Sequence, residues 1–378
     1  MDSFYHFFLI GHNIKLLMLY IFIGSASIQI FYYLFFYARV FFFKNKKETS
    51  NTFSEPVSII ISAHNEAENL KHYLTYILEQ DYPEFEVILI NDRSGDETET
   101  IIANYKEKYP HLRSSFIKDN GKLKHGKKLA ITLGIKASKY DYILLTDADC
   151  KPVSNQWIKE SVQHFNSKDI VLGYGPYFTK KTFINKIIRF DTLFIALQYM
   201  SFSKAGVPYM GIGRNLAYKK DLFIKNRGLA SHASLRSGDD DLFINEVANS
   251  KNTSISINEK AFVYSNPEEN FSDWAWQKGR HFTTFNRYKK LHLFLISTEI
   301  YSRILFYILL IALAPSLYSN YLFIGFASTR FVIQITILLY STYFYKEKGI
   351  GLLILLFDFI LPILNLFIYL RYPTPKRL

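Results

Sequence analysis

A single cysteine, Cys150, among 378 residues excludes an intramolecular disulfide framework, so no oxidising compartment is required for the soluble part of the chain. There is no internal repeat and no low-complexity tract, which argues against a solenoid or a disordered scaffold. A local absence says more. Leu16 to Ala38 contains no Asp, Glu, Lys or Arg. About 20 helical residues cross a bilayer core, so this segment is long enough to span one and too long for a signal-peptide core. No small-residue cleavage pattern follows it, whereas Arg39, Lys44, Lys46 and Lys47 do. It reads as an uncleaved anchor whose C-terminal end faces the cytoplasm.

Apolar and aromatic residues are plentiful, at 49% and 17%, and they concentrate at the two ends of the chain. Part of the protein is therefore expected in lipid. The net charge of +12 could mark a nucleic-acid binder, but many of the Lys and Arg gather beside the apolar segments, where anionic headgroups would meet them. Membrane lipids are the expected partner and nucleic acid is not. Beyond Lys290 three further spans are expected: Ile304 to Tyr318, extended back toward Ile296, then Tyr321 to Tyr340, then Ile350 to Leu370. Glu299 and Arg303 either mark an interface or pair with each other, and Arg330 and Asp358, inside the second and third spans, are expected to face each other or a shared polar cavity. Lys346 and Lys348 favour the cytoplasm. Arg371, Lys376 and Arg377 oppose the resulting count of one span before and three after the middle region, and the count stands because terminal charges seldom dominate.

Between these ends, from Val57 to about Ser265, strand and helix patterns alternate. Val57 to Ser62, Glu86 to Ile90, Ser114 to Ile117, Tyr142 to Leu145 and Ile170 to Tyr174 read as strands, with helices at Glu66 to Glu79, Asp96 to Tyr109 and Lys127 to Ser138. That alternation predicts an α/β, Rossmann-like, doubly wound and mostly parallel sheet. The expected domains are 1–47 with one transmembrane helix, 48–270 as the catalytic domain beginning with a polar linker, 271–292 as an amphipathic interfacial helix, and 293–378 with three transmembrane helices.

The stretch around which the chain is organised is Tyr140 to Pro152. Its apolar run ends in Asp147 and Asp149, two carboxylates one residue apart at the carboxyl end of a strand. Ligands bind at that edge of open α/β sheets, and paired carboxylates form a hard-oxygen site for Mg2+ or Mn2+. The first strand ends in Ala63-His64-Asn65-Glu66 and the second in Asn91-Asp92-Arg93-Ser94, so Glu66, Asp92, Asp147 and Asp149 converge on one edge. Gly126-Lys127 opens a helix after the basic stretch Lys118 to Lys128, a phosphate-contact candidate. Downstream, Gly213-Arg214-Asn215 combines close backbone approach with polar side chains. Asp239-Asp240-Asp241 places three acids at a helix start, more than the helix dipole calls for. Phe271, Trp274, Phe282 and Phe285 share roughly one helical face, with Trp suited to headgroup depth.

Together, Val57 to Leu70, Asn91 to Ser94, Gly126 to Ala130, Asp147-Ala148-Asp149, Gly213 to Tyr218, Asp239 to Leu242 and Gln277-Lys278-Gly279-Arg280-His281 resemble the membrane-anchored family 2 glycosyltransferases, the group of cellulose, hyaluronan and chitin synthases. The resemblance implies a GT-A fold and inverting transfer from a nucleotide-sugar, commonly a UDP-sugar, with Mg2+ or Mn2+. It implies that Ala63, Asn65, Glu66 and Asp92 face the nucleotide, that Asp147 and Asp149 are the DxD pair with Asp149 the more direct metal ligand, and that Lys127 and Arg280 meet the diphosphate. Asp239 matches the base, standing three residues before Leu242, with Asp240 as the alternative. Gly213, Asn215, Gln277 and His281 fall on the acceptor side. Two departures stand out: Gly238 replaces the acid before the base, and His281 replaces the Trp of the Gln-x-x-Arg-Trp motif, which predicts one or a few sugars per encounter. The expected acceptor is a glycan or lipid-linked hydroxyl at the cytoplasmic face of the cell (inner) membrane. Transfer to a polyprenyl phosphate, or a non-catalytic scaffold or transporter, are the alternatives.

Overall fold

The structure, a computed structural model, describes residues 2–42, 53–118, 126–235 and 237–371. Lys44, Lys46, Lys47, most of the linker, the middle of the basic stretch (119–125), Lys376 and Arg377 lie outside the described residues. The chain divides into two compact units: Met1–Phe43 together with Lys290–Phe367, and Lys44–Lys289 together with Ile368–Leu378. The first unit begins with α1 (Asp2–Phe31), which continues through a π-helical turn at Tyr32–Phe36 and a 3-10 turn at Tyr37–Val40.

In the second unit the order is β1 (Val57–Ala63), α2 (Ala67–Leu78), β2 (Phe85–Asp92), α3 (Thr98–Lys108), β3 (Leu112–Ile117), α4 (Lys127–Ala137), β4 (Tyr142–Asp147), β5 (Cys150–Pro152), α5 (Trp157–Val162), β6 (Ile170–Leu172), α6 (Phe183–Lys204), β7 (Leu216–Lys219), α7 (Lys220–Lys225), α8 (Asp241–Val247), β8 (Thr253–Ile255), β9 (Val263–Ser265) and α9 (Phe271–Phe285). Seven strands form one sheet in the order β3-β2-β1-β4-β7-β6-β8. β1, β2, β3 and β4 are parallel, and β7 runs antiparallel to both β4 and β6. β5 and β9 pair as a separate antiparallel ribbon.

Both faces of the sheet are covered, which explains the apolar run Ile59-Ile60-Ile61 at the centre of β1. Ile59 and Ile61 point to one side, where Leu70, Leu74 and Ile77 of α2, Ile102 of α3 and Trp157 and Ile158 of α5 close the core. Ile60 and Ile90 point to the other side, against α4. There Gly134 permits close helix–sheet packing, since a Cβ at that position would lie 2.5 Å from Ile60 Cγ2. α6 carries no amphipathic stripe to announce it, because residues on nearly every side of it are buried.

The first unit continues with α10 (Lys290–Leu317), α11 (Tyr321–Phe344) and α12 (Ile354–Arg371), the last preceded by a 3-10 turn at Gly351–Leu353. Among the described residues, four helical segments are long and apolar enough to cross a membrane: Asn13–Val40, Lys290–Leu317, Tyr321–Phe344 and Gly351–Arg371. The four charges in the interior of the bundle, Glu299, Arg303, Arg330 and Asp358, are paired. Arg330 lies 3.0 Å from Asp358, and Arg303 lies 3.0 Å from Glu299 and 3.2 Å from Asp358. Tyr307 donates its hydroxyl to Asp358 at 2.6 Å and accepts from Arg330, while Gln29 of α1 donates to the Glu299 carbonyl and to Ser302. Two acids and two arginines thus cancel inside an apolar bundle, where unpaired charge is costly.

Candidate active site

The carboxyl edge of the parallel strands gathers the acids. Asp147 is the last residue of β4, and Ala148 and Asp149 turn the chain into β5, so both carboxylates are fixed by strands. Ligand atoms of Asp147, Asp149 and Cys150 lie within 4.8 Å of one another. Asp149 is oriented by β9, since Ser265 Oγ donates to its Oδ2 at 2.6 Å. Burial and the neighbouring charge of Asp147 push the Asp149 carboxyl above the usual carboxylate range. Burial and the two aspartates likewise push the Cys150 thiol well up, which leaves it protonated and a poor ligand. The donor set is therefore oxygen from Asp147 and Asp149. It fits a hard divalent cation, which would relieve the like-charge repulsion recorded in Asp149.

The two preceding loops are sewn together beside this pair. Asn65 adopts φ +56° and Arg93 φ +56°, left-handed conformations uncommon outside glycine. Asn65 N–H donates to Ser94 Oγ at 2.9 Å and its Oδ1 accepts from Gly95 N–H at 2.8 Å; Glu66 N–H donates to Thr98 Oγ1. Ala63 ends β1 and is buried, and Asp92 ends β2, buried and bonded to Arg93 Nε at 3.0 Å. Glu66 is raised above its ordinary pKa by burial, pulled back by the Asn69 amide and raised again by Asp149 and Asp147, which places it in their field.

Lys127, the first residue of α4, lies between two acidic groups. Its Nζ is 2.5 Å from Asp147 Oδ1 and 3.9 Å from Asp239 Oδ2. Burial opposes its charge, but Asp147 and Asp239 outweigh burial and hold the ammonium above the usual lysine range. Asp239 itself is pushed above the usual carboxylate range by burial, pulled back by Lys127 and pushed again by Asp240.

The three acids at the start of α8 do different things. Asp240 caps the helix: its Oδ1 accepts from Asp241 N–H at 2.8 Å and its Oδ2 from Gly213 N–H at 2.6 Å. Asp241 turns to Thr284 of α9 and Tyr288 just beyond it, which donate to its Oδ2, while Leu242 N–H donates to its Oδ1. Gly238 has φ +104°, and a Cβ there would lie 2.6 Å from Leu242 Cδ1, so an acid at this position would be strained twice over.

Of the remaining expected residues, Asn215 is turned inward. Trp157 Nε1 donates to its Oδ1, and its Nδ2 donates to the carbonyls of Tyr174 and Ala261. Gly213 supplies a backbone donor to Asp240. On α9, Gln277 donates to Glu268 at 3.1 Å, Arg280 lies over the Trp276 ring, and His281 is exposed. Desolvation against the surrounding protein, and then the charge of Arg280, shift the His281 pKa down. The helix is held by a buried ion pair in which Lys278 Nζ meets both oxygens of Asp191 at 2.6 Å.

Two contributors escape a sequence reading. Ser265 and Glu268 come from the β9 region, and Glu268 is raised above its ordinary pKa by burial and by Asp273, pulled back by Arg280 and raised again by Asp149. Arg214 donates to the Gly175 carbonyl and stacks on Tyr177 at 4.3 Å. The signal for it is Gly173-Tyr174-Gly175, since Cβ atoms at these glycines would lie 2.4 Å from Asn215 and Arg214.

Residues 58–227 match the family described as Glycosyl transferase family 2. The chain carries a family 2 glycosyltransferase domain. The match takes in every strand of the parallel core, Lys127 and the DxD pair, and ends before Asp239. Among curated proteins, the poly-beta-1,6-N-acetyl-D-glucosamine synthase of Staphylococcus epidermidis is 35% identical over 95 residues, 25% of this chain and 22% of that protein. The synthase of the same name from Staphylococcus aureus (strain COL) is 32% identical over 118 residues, 31% of this chain and 27% of that protein. The matched region is thus less than a third of these relatives' length. A solved mannosyltransferase from Pyrobaculum calidifontis, in complex with GDP-Man and Mn2+, aligns over 89% of this chain and 99% of its own with a TM-score of 0.58 at 17% identity. That likeness is one of fold, and the glycosyltransferase domain is GT-A-like.

Proposed function

We propose that the protein is an inverting glycosyltransferase of the cell (inner) membrane, its glycosyltransferase domain cytoplasmic, moving a sugar from a nucleotide-sugar to a hydroxyl of a glycan or glycolipid. The observation that carries this reading is the acidic edge itself: Asp147 and Asp149 on one side of Lys127 and Asp239 on the other, with Lys127 within reach of both acids. The names of the staphylococcal relatives make an N-acetylglucosamine donor the first to test.

The loops of Asn65, Glu66 and Asp92 cradle the nucleotide, and Asp149, with Asp147, would hold Mg2+ or Mn2+. When bound, that ion neutralises charge developing on the leaving diphosphate. Lys127 and Arg280 add positive charge for the same leaving group. Asp239 takes the proton of the attacking hydroxyl; burial strengthens it as a base, and it lies across Lys127 from the donor-binding acids. Gln277 and His281 face the acceptor, where an imidazole offers less stacking surface than an indole, so short additions are expected.

The test is to incubate membranes holding the full chain with a panel of nucleotide-sugars, UDP-linked donors first, and to identify products by mass spectrometry. A product formed only with metal and lost in Asp149→Ala supports the reading. Consumption of no donor, or transfer unaffected by that substitution, rejects it.

A further inference from the structure

We infer that Lys127 is a built-in stand-in for the divalent cation: its ammonium occupies Asp147 in the unloaded enzyme and leaves that carboxylate when the cation binds. This rests on the metal-dependent reading above and adds a step to it. The Lys127 ammonium lies 2.5 Å from Asp147 Oδ1 and 3.9 Å from Asp239 Oδ2. One cation thus partners acids from both halves of the site.

The neighbouring lysines differ from it in a telling way. Lys128 donates to the His232 carbonyl at 2.6 Å, and Lys278 is buried between both oxygens of Asp191. The side chain of Lys127 is 40% exposed and stands at the first turn of α4, on a flexible four-carbon stem. It has room to swing without repacking the core. Ammonium and metal ion compete for the same lone pairs of Asp147. Once displaced, the ammonium is free to meet the donor diphosphate, and Asp239 loses a counter-charge at the moment it must act as a base.

The experiment uses full-length protein in detergent, Mn2+ alone as probe, and two readouts other than turnover. Reductive methylation of Lys127, followed by mass spectrometry and normalised to the remote Lys225, reports whether the amine is engaged. Electron paramagnetic resonance reports bound Mn2+. Mn2+ without nucleotide should raise Lys127 labelling several-fold, and Asp147→Asn should label fast with or without Mn2+. Lys127→Met should bind Mn2+ about tenfold tighter, the lower end of what a contacting opposite charge does to a carboxylate. Mn2+ bound in an Asp149-dependent way with Lys127 labelling unchanged would overturn the displacement while sparing the metal reading. No Asp149-dependent Mn2+ binding at all would overturn the metal reading, and the displacement with it.

Discussion

Replacing Asp239 with asparagine removes a proton acceptor while keeping its size, which makes it the sharpest test of the chemistry. A sugar hydroxyl is a weak nucleophile at neutral pH, and a positioned carboxylate that takes its proton is worth about 10²–10⁴ in rate, or roughly 3–5 kcal/mol of barrier. Three acids stand together, but Asp240 has both oxygens bonded to backbone N–H groups and Asp241 has both engaged by Leu242, Thr284 and Tyr288. Asp239 instead faces Lys127 at 3.9 Å. Asp239→Asn should therefore lower turnover by about 10²–10⁴ while donor affinity stays within a few-fold. Asp240→Asn should act through the fold: an amide NH2 set against a backbone N–H leaves a buried donor unmatched, at about 1–3 kcal/mol of stability. The assay measures turnover, donor affinity and thermal midpoint for both variants in nanodiscs. Collapse of turnover in Asp240→Asn with near-normal Asp239→Asn would move the base by one residue, and near-normal turnover in both would remove this cluster from the reaction. Transfer to a polyprenyl phosphate, whose acceptor is already ionised, would also leave Asp239→Asn active.

Three further outcomes are expected. Chelator should silence the enzyme and Mg2+ or Mn2+ should restore it; full activity in excess chelator would reject the metal assignment. Asp241, pushed up to about 7 first by burial and then by Asp240, keeps its proton in the folded state at pH values where the unfolded chain has lost it. Stability should thus fall as pH rises from about 4 to 7, and a thermal midpoint in Asp241→Asn with the same slope as wild type would contradict that. Tags placed between Lys44 and Glu55 and beside Lys346 should both be shielded from external reagents in intact cells, and labelling of either would overturn the orientation of one span before and three after the glycosyltransferase domain.

The parallel core is legible in the sequence because it is buried on both faces. β1, β2 and β4 then read as apolar runs, and each stops where a polar group must reach the carboxyl edge. α2, α3 and α4 lie within two residues of their expected ends. What stays hidden has physical causes. β8 and β9 have three residues each, too few for any period, and α6 is buried nearly all round. Arg330 and Asp358 are legible as partners because charge in an apolar span has few alternatives, and they lie 3.0 Å apart. Asn215 shows the limit of residue type as a guide: its amide suits a sugar, yet in the fold it bridges Trp157, Tyr174 and Ala261. Gly173 and Gly175 become meaningful only when the side chains above them are known.

The balance of charge around each buried acid separates acids that hold the fold from acids that serve a ligand, and stability measurements can read that difference. Glu86, at the opposite end of the strands, is bonded by Ser58, Arg113 and the Lys139 N–H, and its carboxyl lies below the usual range despite burial. Asp358 is held by Arg303, Arg330 and Tyr307. Asp149 has a serine hydroxyl and a thiol as donors, with Asp147 as an adverse neighbour. Removing charge should therefore have opposite effects at the two kinds of position. Asp358→Asn leaves two buried arginines under-compensated and should cost roughly 3–5 kcal/mol, as breaking a buried pair does. Asp149→Asn keeps an acceptor for Ser265 while relieving repulsion, so without metal its thermal midpoint should equal or exceed that of wild type even as transfer is abolished. A large loss of stability in metal-free Asp149→Asn would mean that Asp149 is structural, and the acidic edge would then lose its claim to be a cation site.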